Sequence, residues 1–105
     1  MSVQLPMGIS ERLTRHRLAR CSATLRELRD ELRISQEQCE VVSDDAADAE
    51  LRAIVSETPA AQAEHREQQG HYLALARHIG HLRARINDLE REQDELLDRL
   101  GRQNS

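Results

Sequence analysis

The chain has 105 residues, enough for one domain, with 32% of them charged and a single aromatic, Tyr72. A conventional rounded core draws on aromatic area, so this composition excludes one and favours long exposed helices rich in Leu, Ala, Glu and Arg. The net charge of −4 gives no global support to indiscriminate nucleic-acid binding.

The N-terminal stretch Met1 to Ile9 lacks the basic and apolar regions of a signal peptide, and residues 1–9 read as a flexible end. From Ser10, a candidate N-cap, the positions Leu18, Cys21, Leu25, Leu28, Leu32, Ser35, Cys39, Val42, Ala46, Ala49 and Ala53 alternate spacings of three and four. That is a heptad seam, and with no Pro or Gly between Ser10 and Glu57 it predicts one helix over 10–57. Ser43-Asp44-Asp45 resembles a capping sequence and is the expected place for a break.

Thr58-Pro59 pairs an N-cap residue with a proline suited to the first helical position, so the turn is expected there. Beyond it Tyr72, Leu75, Ile79, Leu82, Ile86, Leu89, Gln93, Leu96 and Leu100 repeat the three-four alternation to a stop at Gly101. The second helix is expected over 59–100, softened by Gly70 and Gly80, with 101–105 a flexible end. The expected fold is therefore all-α: two long helices in an antiparallel coiled-coil hairpin, residue i facing roughly residue 115 − i, and dimerising into a four-helix bundle.

Charge supports that register. Arg12, Arg15, Arg17 and Arg20 fall opposite Glu92, Asp94, Glu95 and Asp98, and the acidic run Glu37 to Glu50 falls opposite His65, Arg66, His71, Arg77 and His78. The basic cluster opposes the macrodipole of its own helix N-terminus, so the acidic end of the second helix is its expected counterweight. With no stacking aromatic beside it, single-stranded nucleic acid is a poor partner.

Ile34, Val41 and Val55 recur at multiples of seven away from the seam, with Leu51 and Ile54 nearby. A lone hairpin leaves these five wet. Isolated surface apolar residues are ordinary, but a two-helix core is thin. The strip is therefore the candidate contact for a homodimer or for another, unidentified protein.

No chemistry stands out. His71, His78, His81 and Cys39 can be drawn into a metal cluster, yet His-Glu-x-x-His and paired Glu-x-x-His motifs are absent, so no metal and no cofactor is expected. Cys21 and Cys39 read as packing residues. There is no phosphate loop, nucleophile elbow or catalytic cysteine signature, and no segment approaches the ~20 apolar residues of a membrane span. The sequence thus suggests a cytoplasmic, non-enzymatic interaction module without a membrane.

The stretches DDAADAELRAIVSETPAAQAEHRE, from Asp44 to Glu67, and EREQDELLDRL, from Glu90 to Leu100, resemble segments of short actinobacterial helical-hairpin proteins. That resemblance implies a helical hairpin and no particular activity. The chain is also weakly similar to actinobacterial helical-hairpin anti-sigma factors that bind cyclic di-GMP through Glu-x3-Ser-x2-Arg-x3-Gln-x3-Asp. Glu31 and Ser35 match the first two positions, whereas Gln38, Val42 and Ala46 stand where Arg, Gln and Asp are required. The missing Arg and Asp are the groups suited to guanine and phosphate, which speaks against cyclic di-GMP. What the resemblance implies is a regulatory protein that binds a sigma factor, and a metal-binding bundle is the third alternative.

Overall fold

The computed structural model describes residues 7–104. Among them there are two helices and no strand: α1, Met7–Ser56, and α2, Pro59–Gln103. Residues 1–6 and 105, parts of the two ends expected to be flexible, lie outside the described residues. Neither helix is long and apolar enough to cross a membrane.

The turn is built as its residues require. Glu57 adopts φ 50°, the left-handed conformation that ends many helices, and its N–H donates to the Ala53 carbonyl at 3.1 Å. Thr58 then caps α2, its Oγ1 accepting from the Ala61 N–H at 3.1 Å, and Pro59 occupies the first helical position, where no backbone donor is needed. Glu57 is therefore the residue that stops α1, so the helix ends at Ser56, one residue short of the expected boundary.

At the other ends the helices run further than expected. α1 already contains Met7, Gly8 and Ile9, so Ser10 lies inside the helix and is not its cap. The Ser10 carbonyl accepts from Thr14 Oγ1 at 3.1 Å, and its hydroxyl accepts from Gln103 Nε2 at 2.9 Å. The same contact holds the last turn of α2 to Gln103. Gly101 keeps a helical φ and does not terminate the helix at Leu100. Ser43-Asp44-Asp45 produces no break, and α1 is continuous through it.

The chain divides into two compact units. The turn unit, Asp30–Arg83, is a helical hairpin containing the linker. Its buried positions are Ser35, Ala46, Ala49 and Ala53 on α1 with Ile79 and Leu82 on α2. Arg52 lies 2.7 Å from Glu64 and Glu31 lies 3.1 Å from His78, so the helices run antiparallel. The seam residues buried from Ala46 to Ala53 are all Ala, which removes little apolar area from water.

The terminal unit pairs the stretch of α1 up to Arg29 with the stretch of α2 from Ala84. Thr14, Cys21 and Leu25 are buried with Ile86, Leu89 and Leu96, and Leu25 is fully enclosed. Burying a side chain of that size stabilises by roughly 1.5–3 kcal/mol. Gln93 Nε2 donates to Ser22 Oγ at 3.0 Å, and Arg17 and Arg29 reach Glu92 and Glu90 at 3.6 and 3.4 Å. The order of these contacts is again antiparallel, and Ser22 with Gln93 matches the 115 − i register.

Candidate interaction surface

Helical spacing turns the seam of α1 inward, so its opposite face must look outward. In the turn unit Ile34 is 45% exposed, Val41 60%, Leu51 61%, Ile54 64% and Val55 81%. Leu51, Ile54 and Val55 stand three and four positions apart, which places them together within one turn of α1. These large apolar side chains have no place in the hairpin's own core.

Their surroundings are acidic. Between Asp30 and Ser56, α1 carries eight Asp or Glu against two Arg, whereas between Met7 and Arg29 it carries six Arg against two Glu. The acidic run was expected to be answered by α2. Across the turn unit the described residues form one Arg–carboxylate ion pair, Arg52 with Glu64, and one His–carboxylate contact, His78 with Glu31. Glu37 turns to Arg33 on its own helix at 3.4 Å. The i, i+4 neighbour is nearer than the facing helix, so local geometry wins over register.

The basic cluster is compensated only in part. Arg17 reaches Glu92 of the acidic stretch on α2, but Arg15 bonds Glu11 one turn back at 2.8 Å. Among the described residues, no hydrogen bond or ion pair engages Arg12 or Arg20. Helical neighbours of like charge are left facing solvent.

The histidine and cysteine candidates are dispersed. His78 Nε2 lies 3.1 Å from Glu31 Oε1, His71 and His81 are exposed, and Cys39 is half-buried. Among the described residues no three His, Cys, Asp or Glu side chains converge in a way that could hold a metal ion. Cys39 instead lines an open groove of about 480 Å³ in the turn unit with Gln36, Tyr72, Ala76, Ile79 and Arg83. Cys21, in the terminal unit, is buried with its Sγ 3.3 Å from the Leu89 carbonyl. Burial, reinforced by the charge of Glu92, pushes its thiol pKa up, opposite to what an activated thiolate needs.

Three polar residues occupy inward positions that an apolar pattern does not reveal. Thr14 is buried and returns its hydroxyl to its own helix. His65 and Gln68 continue the three-four spacing of α2 upstream of Tyr72 and are half-buried, and His65 Nδ1 is buried with no hydrogen-bond partner. The signal that could have found them is the spacing alone, carried past the last apolar residue. Ile9, Leu13, Leu73 and Leu97 are further exposed apolar side chains outside the strip first singled out.

Comparison with known proteins gives no match to a protein-family model, a curated protein or a solved structure.

Proposed function

We propose that the chain is a non-enzymatic helical-hairpin module that works by protein–protein interaction in the cytoplasm, associating first with a second copy of itself through the outer face of α1 to form a four-helix bundle. The observation that carries this reading is the exposure of Ile34, Val41, Leu51, Ile54 and Val55 on one helix whose seam is already occupied. Covering exposed apolar side chains is favourable, and a two-helix core with an alanine-rich end has more to gain from association than a thick one.

Val41→Asp together with Val55→Asp tests the reading. Both positions are mostly exposed, so the double variant keeps its helical circular dichroism and loses association by light scattering. Loss of helicity instead would make these residues part of the hairpin's own core and remove the basis of the reading.

A further inference from the structure

The acidity of the strip constrains what can cover it. If the stretch Asp30 to Ser56 packed on its own counterpart, eight carboxylates would face eight, with two Arg on each side. Like charges set opposite one another in a contact are destabilising. The occupant should be apolar where the strip is apolar and basic where it is acidic.

The terminal unit carries such a surface. Ile9, Leu13, His16 and Arg20 step along α1 by four, three and four residues, and in the turn unit Val55, Leu51, Asp48 and Asp44, taken backwards, step by the same intervals. Spacings of three and four keep each set on one helix face. All eight side chains are exposed, and no hydrogen bond or ion pair among the described residues engages His16, Arg20, Asp44 or Asp48.

We infer that two copies pair antiparallel through α1, the terminal-unit ladder of each lying on the turn-unit ladder of the other. This rests on the reading of α1's outer face as a self-association surface and specifies which residues meet. Ile9 packs on Val55 of the second copy and Leu13 on Leu51, two apolar layers. His16 then meets Asp48, a polar layer, and Arg20 meets Asp44, a layer of opposite charge. One step further Ala23 meets Val41. Exchanged between two identical chains about a twofold axis, the contact is made twice. The match gives out beyond that layer, where Glu27 faces Glu37 of the second copy.

The pairing is tested on the full chain by sedimentation equilibrium, with circular dichroism confirming that each variant is folded. Wild type is a dimer. Arg20→Glu turns an attraction into a repulsion at two symmetry-related places and weakens the dimer by about tenfold or more. Asp44→Arg does the same, and the two substitutions combined return the dissociation constant to near the wild-type value. Glu37→Arg removes the one like-charge layer and tightens the dimer. A wild-type chain that stays monomeric at every concentration overturns the pairing and self-association together. A dimer indifferent to Arg20→Glu and Asp44→Arg, yet dissociated by Val41→Asp with Val55→Asp, overturns the pairing alone and leaves the interaction-surface reading intact.

Discussion

Leu25 and Leu51 are the same residue type on the same helix in opposite environments, 0% and 61% exposed, and replacing each by Ala should separate core from contact surface. Leu25 is enclosed between α1 and α2 in the terminal unit, so Leu25→Ala loses the transfer free energy of its side chain and leaves a cavity. Such changes cost about 2–5 kcal/mol. A two-helix interface is open at its sides and can partly collapse, which places this variant near the lower end, about 2–3 kcal/mol. Leu51→Ala removes atoms already in water within the hairpin and should change its intrinsic stability by no more than about 0.5 kcal/mol. Any larger effect of Leu51→Ala must come through association, and mass action makes that part grow with protein concentration. Urea unfolding followed by helical circular dichroism at two widely separated concentrations distinguishes the cases. Leu25→Ala should show a large loss at both, and Leu51→Ala a loss only at the higher. Equal, concentration-independent losses for the two variants would refute the assignment of inner and outer faces.

The turn makes two further predictions of opposite sign. Glu57 is a non-glycine residue at φ 50°, so Glu57→Gly relieves backbone crowding and should raise stability by about 0.5–1 kcal/mol. Thr58→Ala removes the hydroxyl that accepts from Ala61 and should lower it by about 1 kcal/mol. Both are read from urea midpoints. Gly80 lies within α2 with a helical φ and open space where a Cβ would stand. Gly80→Ala should therefore stabilise by about 1 kcal/mol, measured as a rise in Tm. Cys21 gives a pH dependence. Its folded pKa is raised above the ordinary 9.0, so its contribution to stability is fully present below that value and is lost as pH rises through the raised one. Stability measured above pH 9 should fall less steeply in Cys21→Ala than in wild type.

Much of the architecture was legible in the sequence because it rests on two strong local signals. The three-four alternation identified inward residues on both helices, and Leu18 through Ala53 and Tyr72 through Leu100 are all buried or half-buried. Thr58-Pro59 marked the turn because both residues have specific backbone uses there. The helix ends were less legible, since Ser10 looks like a cap in sequence but lies inside α1, where its hydroxyl meets Gln103, a residue far away in the chain. Ion pairs were legible only in register: Arg17 with Glu92 follows from facing helices, but Arg15 with Glu11 is settled by a neighbour one turn away. The outer strip was legible as apolar positions off the seam. Its acidic setting was also legible, but the matching ladder through Ile9, Leu13 and Arg20 became apparent only once the exposure of these residues and of Asp44 and Asp48 was known.

The solution mass of the full chain, measured by light scattering over a wide concentration range with reductant present, bears most directly on whether α1's outer face is an association surface. A mass that settles near twice the 12.0 kDa of the chain, and falls to the monomer value in Val41→Asp with Val55→Asp while helicity is kept, is the expected result. A mass of one chain at all concentrations would contradict it.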